Sequence, residues 1–365
     1  MSIYIRYFSA LFLFLFPFLS DAQQFYLTQY SQALPWYNPS FTGIESFSAV
    51  DLGIRDNGGG DVNTPTTMQV NINLALTGEN KKYGQETKTV KRPNITFRTS
   101  DQTLFSRHDT KVETEVHGGG LRKRQEVFEA RSKHGLGAGL VSIKAGGIVQ
   151  YQGQLSYAFH LPLSKRWKAS FGAAALVSSS RYNVIDYTMR NSNDQIYLEL
   201  LDKGGRQELF YYLNMGGTLY SQRYHLSYAY TNVLGGNLEN TANDSSAISN
   251  KMEDVHGIMA GMRISLGGRS ELQPNVLLLL RTNTPSLISP GVKWIYDQKF
   301  MAGVNYRPNE SVDFITAVML SPQIKFGYSF DLLIGDPNNT DFRMHELSLS
   351  FILNRDNKTF DRRFW

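Results

Sequence analysis

The chain has 365 residues, of which 13% are aromatic, and it has no cysteine. The missing thiols exclude disulfide bonds, thiolate metal sites and a lipidated N-terminal cysteine. The formal net charge is +5, but Lys and Arg concentrate in residues 79–133 and 355–363. Because the sequence shows no known nucleic-acid reader motif, no nucleic-acid partner is expected.

The first 22 residues have the features of a signal peptide. Arg6 supplies a positive charge, Phe8 to Leu19 form an apolar run, and Ser20-Asp21-Ala22 offers small residues for cleavage. We therefore expect residues 1–22 to be removed on export, which leaves Gln23 as the first mature residue. An N-terminal anchor is the alternative, but the apolar run is shorter than the roughly 18 residues that a spanning helix needs.

Residues 23–45 come next and show no regular period. Asn38 precedes Pro39, and a residue before proline avoids the α conformation. Pro39 and Gly43 bracket a turn. Residues 23–45 are therefore predicted to be a periplasmic segment that leads into the first strand.

From residue 46 onward, apolar and polar residues alternate in segment after segment. Between Gln323 and Asp331, the even positions are Ile, Phe, Tyr and Phe, and the odd positions are polar or small. Side chains alternate faces along a strand, so this segment has one apolar face and one polar face. The same pattern predicts strands at 46–55, 67–77, 135–143, 149–160, 167–180, 210–220, 224–232, 256–266, 272–281, 288–296, 299–307, 312–320, 323–331 and 346–353.

This repetition predicts the fold class. Alternating strands of about ten residues are typical of an all-β, antiparallel transmembrane barrel of the outer membrane, here with about 14 strands over residues 46–353. The apolar faces are expected to contact outer-membrane lipid, and the polar faces to line the lumen.

The connections between strands suggest how the barrel is oriented. If both termini are periplasmic, the long connections 181–208, 233–255 and 332–344 lie outside the cell, and short turns lie inside. The charged stretch 78–133 then falls in the periplasm as an insert, together with a C-terminal tail at 354–365. The insert is predicted to be a docking element. The alternatives are a flexible loop, or an extra hairpin in the wall, which would give about sixteen strands.

No catalytic, cofactor or metal signature rises above background in the sequence. Gly135-x-Gly137-x-Gly139 is not a nucleotide fingerprint because no helix-forming segment follows it. Ser156 and His160 lie on one face of a predicted strand, and a lipid-modifying barrel enzyme would use such a pair. A polar lumen wall explains the same two residues and is favoured.

Several motifs, taken in chain order, resemble the PorP/SprF family of type IX secretion system membrane proteins. The opening at residues 29–32 and 37–43 is similar to the family's "SQY…NPAYAG" pattern. Further similar segments are 135–140, 155–164, 273–278, 326–331 and 345–349. The family-motif positions singled out, with a partner-binding or structural role, are Tyr37, Asn38, Pro39 and Gly43.

The resemblance implies a non-enzymatic outer-membrane barrel in type IX secretion. Such proteins bind a secreted or surface protein, such as a gliding adhesin, through its C-terminal domain, and some associate with the periplasmic ring of the machine. This chain departs from the pattern at Ser40-Phe41-Thr42-Gly43, where the family usually has Ala-Tyr-Ala-Gly, and in the length of residues 78–133.

A porin or small-molecule uptake channel remains the alternative function. A barrel of about fourteen strands encloses a lumen wide enough to conduct unless something plugs it. The alternation of residues does not distinguish an open lumen from a plugged one.

Overall fold

The computed structural model describes residues 27–45, 47–57, 66–77, 132–145, 148–164, 166–182, 207–238, 252–282, 284–334 and 343–353. The expected signal peptide 1–22, residues 78–131 of the expected insert and the expected tail 354–365 lie outside this described part. So do the central portions of the three long connections, at 183–206, 239–251 and 335–342.

The described strands form one closed antiparallel sheet. They are β1 (Ser48–Asn57), β2 (Thr66–Thr77), β3 (Lys133–Ala145), β4 (Ile148–Pro162), β5 (Lys168–Tyr182), β6 (Gln207–Tyr220), β7 (Tyr224–Asn237), β8 (Val255–Met262), β9 (Ile264–Gly267), β10 (Ser270–Arg281), β11 (Leu287–Tyr296), β12 (Phe300–Arg307), β13 (Ser311–Ser321), β14 (Ile324–Leu333) and β15 (Arg343–Leu353). Each strand pairs with its neighbour, and β15 returns to pair with β1. Strands β8 and β9 both pair with β10 and form one interrupted wall strand, so the barrel is 14-stranded.

Closure satisfies the backbone polar groups of the wall. A sheet that returns to its first strand leaves no row of unpaired N–H and C=O groups, which would be costly in lipid. Large apolar side chains are exposed over the outer surface of the strands, and polar side chains are buried on the inner one. In β14, for example, Phe326 is 37% exposed, whereas Lys325, Ser329 and Asp331 are buried. The predicted outer-membrane β-barrel is therefore confirmed.

The described residues contain no helix that is both long enough and apolar enough to cross a membrane.

The register between β2 and β3 decides between the two predicted strand counts. The two strands pair directly along their whole length, from Thr66 with Lys144 to Thr77 with Lys133. No further hairpin is therefore inserted between them, and the sixteen-strand alternative is wrong. Lys133, expected at the end of the insert, is instead the first residue of β3.

One end of the barrel carries five short turns, and we call it the short-turn end. These turns connect β4 to β5, β6 to β7, β9 to β10, β11 to β12 and β13 to β14. Thr77 and Lys133 lie at the same end, as do the first residue of β1 and the last residue of β15.

The N-terminal segment occupies a different place from the one expected. Residues 27–45 lie inside the barrel, buried almost throughout and hydrogen-bonded to inward-facing wall residues. Residues 23–45 were expected to be a periplasmic segment that leads into the first strand; residues 27–45 of that range instead lie within the barrel, and 23–26 lie beyond the described part.

Candidate functional site

Residues 27–45, which we call the plug, fold into a chain of tight turns. A 3₁₀ turn (Tyr30–Gln32) is followed by α1 (Leu34–Tyr37) and by a second 3₁₀ turn (Pro39–Phe41). Proline fixes φ near the helical value and needs no N–H partner, so it suits the first turn of each of the last two elements. Asn38 begins the second 3₁₀ turn, and its Oδ1 accepts a hydrogen bond of 2.9 Å from the Ser40 backbone N–H.

Glycines in the wall allow the plug backbone to approach β3, β5 and β6 closely. A Cβ atom added at Gly135 would overlap the carbonyl of Thr42, and one at Gly172 would overlap the carbonyl of Pro39. A Cβ at Gly216 would overlap the Asn38 side chain. The plug backbone can come this close only because these three wall positions carry no side chain. We call this part of the interface, on β3 to β6, the glycine side.

The plug itself supplies one glycine to this contact. Gly43 has a φ of +66°, in the left-handed region that favours glycine. A Cβ there would come within 2.5 Å of the Gly135 Cα atom. Its backbone N–H donates a 2.6 Å hydrogen bond to the side chain of Asn73 on β2.

Neutral hydrogen bonds join the plug to the same strands. The Thr42 hydroxyl donates to Ser156 Oγ at 2.9 Å, and His160 Nε2 donates to the Thr42 carbonyl at 2.8 Å. His160 Nδ1 is then the acceptor for the hydroxyl of Tyr220, 2.8 Å away. Ser156 and His160, the pair considered for a lipid-modifying enzyme, are thus buried beneath the plug and bonded to it.

Apolar packing holds the plug on another part of the wall, formed by β6, β8, β10 and β11. The buried plug residues Tyr30, Leu34, Phe41 and Ile44 form one cluster with apolar wall residues. The wall members of this cluster are Tyr220, Met259, Leu277, Leu279 and Leu287. Burying each large apolar side chain contributes about 1.5–3 kcal/mol, so this cluster stabilises the plug substantially.

Tyr30 combines this packing with a polar contact. Its hydroxyl donates a 2.6 Å hydrogen bond to Asn275 Oδ1 on β10. Burial raises the pKa of the Tyr30 phenol above its usual range. The phenol therefore stays protonated and remains a donor.

Charged groups hold the start of the plug on the opposite part of the wall. The Thr28 hydroxyl donates to the Asp331 carboxylate, with oxygen separations of 2.6 and 2.8 Å. The backbone N–H groups of Thr28 and Gln29 donate to the two carboxylate oxygens of Glu346, at 2.9 and 3.1 Å. We call this part of the interface, on β12 to β15 and β1, the charged side.

Two arginines compensate the carboxylates on the charged side. Arg55 contacts Asp331 at 2.7 Å, and Arg307 contacts the same carboxylate at 3.0 Å. Arg307 also makes a two-pronged contact with Asp313, at 2.7 and 2.9 Å. Asp331 and Asp313 are almost completely buried, and buried charges persist only when paired in this way.

The structure places all four family-motif positions in the plug. Tyr37 accepts a 3.1 Å hydrogen bond from the Leu27 N–H and lies edge-on to Tyr30. Asn38 also donates to the Tyr228 carbonyl on β7 at 3.2 Å. Pro39 packs against Gly172, and Gly43 packs against Gly135. All four positions therefore hold the plug in shape or against the wall.

Further wall residues that hold the plug were not identified from the sequence. Lys133 Nζ donates to the carbonyls of Ile44 and Glu45, at 2.6 and 2.9 Å. The indole of Trp36 donates to Asn71, and it lies against Gly139. A signal was present, because Gly135, Gly137 and Gly139 all face inward, and a bare lumen wall does not need three glycines in alternate positions.

The plug thus contacts the wall around the circumference of the lumen, through glycine, apolar and charged contacts in turn. Such an arrangement holds the segment in a fixed position inside the lumen. Within the described residues, no group of three or more His, Cys, Asp or Glu side chains is arranged to hold a metal ion.

Comparisons with solved structures return other barrels at low identity. The CymD monoaromatic hydrocarbon channel is 10% identical with a TM-score of 0.45, and the match covers 93% of this chain and 96% of that one. The toluene transporter TodX of Pseudomonas putida is 8% identical with a TM-score of 0.42, covering 91% and 95%. The ferric enterobactin receptor PfeA of Pseudomonas aeruginosa is 9% identical with a TM-score of 0.30, covering 78% of this chain. The chain spans only 44% of that receptor's length.

Sequence comparison identifies the family. A search of curated proteins finds no match. A profile described as type IX secretion system membrane protein PorP/SprF matches residues 116–351, well over half of the 365 residues. The chain belongs to the PorP/SprF family of type IX secretion system membrane proteins.

Proposed function

We propose that this protein is a closed outer-membrane barrel of the type IX secretion system that binds a secreted protein and components of the secretion machine. The observation that carries the proposal is the plug, which lies in the lumen and is bonded to strands on all sides of it. A partner-binding role needs an anchored barrel but no open passage.

The extent of the plug contacts favours this role over a porin or an uptake channel. Contacts between plug and wall run from Asn71 on β2 to Glu346 on β15, and the interface combines close backbone packing with buried ion pairs. Opening a continuous passage would break all of these contacts together. A solute would therefore have to displace a segment that the whole wall binds.

The partners in this proposal are those that the family resemblance implies. One is the C-terminal domain of a secreted surface protein, such as a gliding adhesin, and the other is the periplasmic ring of the machine. The short-turn end is assigned to the periplasm, because bacterial barrels keep their short turns there. Cleavage of residues 1–22 and export precede assembly.

The insert at residues 78–132 is the proposed contact with the periplasmic ring. It leaves the wall between Thr77 and Lys133, which are paired at the short-turn end. The four family-motif positions, Tyr37, Asn38, Pro39 and Gly43, are assigned to holding the plug rather than to contacting a partner, since their contacts are with the plug and the wall.

The test is to identify what co-purifies with the protein from its native membrane in mild detergent. We expect a secreted protein and ring components in stoichiometric amounts. A barrel that purifies alone at every detergent concentration would contradict the proposal, and a conducting barrel would then support the uptake-channel alternative.

A matched variant separates the two partners. Because Thr77 pairs directly with Lys133, replacing residues 78–132 by Asn-Gly should close a regular two-residue hairpin. We expect this variant to assemble normally and to retain the secreted protein but lose the ring components. An unchanged set of co-purifying proteins would show that the insert is not the docking element.

A further inference from the structure

The wall is interrupted at Gln273 and Pro274. Strand β10 pairs with β8 from Asn275 onward and with β9 up to Leu272, so Gln273 and Pro274 have no partner on that side. Proline has no N–H to donate to a ladder, which explains why the pairing breaks here. Met262 and Arg263 lie opposite this break. At these two residues the interrupted wall strand passes from β8 to β9.

A small cavity lies at this interruption, between the wall and the plug. Its volume is about 40 Å³, and it extends from Tyr30 and Leu34 of the plug to the turn at Ser221–Arg223 of the short-turn end. A single water needs roughly 10–15 Å³ by this measure, so the cavity holds a group of about three heavy atoms. That size admits the three heavy atoms of a carboxylate, or part of a phosphate head whose remaining atoms stay outside the cavity.

The charged residues that line the cavity are all basic. Lys293, Arg223 and Arg263 line it, and none of its lining residues is Asp or Glu. Arg263 is compensated by Glu271, which lies 2.8 Å from it outside the lining. The Lys293 side chain is 5% exposed, and its Nζ lies 5.6 Å from the centre of the Tyr30 ring.

One wall of the cavity contains a buried hydrogen-bond donor that has no partner among the described residues. Gln273 is 7% exposed and lines the cavity, and among the described residues its Nε2 has no hydrogen-bond partner. An unsatisfied buried donor is destabilising unless a ligand or water completes it. The neighbouring half-buried Asn275 Oδ1 already accepts a hydrogen bond from the Tyr30 hydroxyl.

From these contacts we infer that the cavity binds an oxyanion, a phosphate or carboxylate group, between Gln273, Lys293 and the plug. Gln273 Nε2 donates to the anion, and Lys293 and Arg223 supply the positive charge. The site exists only with the plug in place, because Tyr30 and Leu34 form one of its walls.

The surroundings favour a lipid headgroup as the source of this oxyanion over a free ion. On the outer surface next to the break, Tyr224, Met262 and Ile264 are 50%, 39% and 38% exposed. These side chains provide an apolar surface for acyl chains beside the cavity. A free phosphate ion has the same head chemistry, and the experiment distinguishes the two.

The test uses the full-length protein in detergent. One arm titrates inorganic phosphate by calorimetry, and the other incubates the protein with vesicles of phosphatidylglycerol in phosphatidylcholine and counts retained lipids by native mass spectrometry. Gln273→Leu is the main variant, since removing an unpaired buried donor should leave folding intact. Arg223→Gln and Arg166→Gln form a matched pair, because both are exposed arginines near short turns and only Arg223 lines the cavity.

We expect retention of one phosphatidylglycerol molecule, weakened about tenfold by Gln273→Leu, the factor expected for losing one hydrogen bond to a charged group. Lys293→Met should abolish retention, Arg223→Gln should weaken it, and Arg166→Gln should not change it. Binding of inorganic phosphate alone, with the same response to the variants, would also support the oxyanion site and identify a free ion as its source. Binding in neither arm, or binding that Gln273→Leu leaves unchanged, would overturn the inference.

Discussion

The glycine side and the charged side hold the same plug by opposite means. On the glycine side, β3, β5 and β6 remove side chains so that the plug backbone can approach. On the charged side, buried carboxylates on β14 and β15 accept hydrogen bonds from Thr28 and Gln29, and two arginines pair with the carboxylate on β14. The first contact is steric and tolerates no added atom, whereas the second is electrostatic and shared among several groups.

The largest effect is expected from filling the glycine side. In the double variant Gly135→Ala and Gly172→Ala, both new methyl groups overlap plug backbone atoms. Overpacking costs about 1–3 kcal/mol per site, so about 4 kcal/mol in total should favour plug release by roughly a thousandfold. The chain has no cysteine, so Ala33→Cys, at a fully buried plug position, reports release by its rate of maleimide labelling.

The control for this prediction uses two outward-facing glycines. A Cβ at Gly153 or Gly217 has its nearest neighbour at 3.5 or 3.7 Å, an ordinary contact. The double variant Gly153→Ala and Gly217→Ala should leave labelling unchanged. Equal labelling of the two double variants would show that close backbone packing does not hold the plug.

On the charged side, Asp331→Asn should destabilise the protein by about 3 kcal/mol, because it removes the ion-pair partner of Arg55 and one of the partners of Arg307. Arg55, Arg307 and Thr28 all depend on this carboxylate. Unfolding in urea measures the change. Asp297→Asn is the matched control, since its arginine and lysine partners are 65% and 73% exposed and such surface pairs contribute about 0–1 kcal/mol. Equal losses in the two variants would contradict the role given to Asp331.

A smaller effect is expected at the centre of the plug. Asn38→Ala removes the side chain that begins the second 3₁₀ turn and its bond to the Tyr228 carbonyl. The loss of such a cap costs about 1 kcal/mol, which corresponds to about fivefold faster labelling at Ala33→Cys. If Asn38→Ala leaves the labelling rate of the Ala33→Cys protein unchanged, the Asn38 side chain does not stabilise the plug.

The smallest effect is expected from Ser156→Ala, which removes one neutral hydrogen bond to Thr42. The expected cost is about 1 kcal/mol or less, measured by the same labelling. The phospholipid composition of the membrane should not change. A changed lipid composition with an unchanged labelling rate would instead support a lipid-modifying role for Ser156 and His160.

The wall could be predicted from the sequence because its signal is local. Every strand has to put apolar side chains toward lipid and polar ones toward the lumen, so the alternation in segments such as 323–331 marks strands and faces at once. The β8–β9 interruption was not predicted, because residues 256–266 keep an alternating pattern through the break at Arg263.

The plug could not be predicted in the same way, because its position depends on contacts far apart in sequence. Thr28 meets Asp331 and Glu346 across the whole chain, and nothing in residues 27–45 indicates which surface they cover. Two patterns of the wall carried indirect information. The inward glycines at 135, 137 and 139 leave room for a backbone, and the apolar run 276–280 gives β10 an apolar inner face where a polar lumen is expected.

Single-channel conductance in planar bilayers tests the central claim, a barrel closed by its own N-terminal segment, most directly. The full-length protein should insert without conducting, and a variant lacking residues 27–45 should open steps typical of a wide barrel. Steady conductance of the full-length protein, equal to that of the plug-deleted variant, would contradict the account.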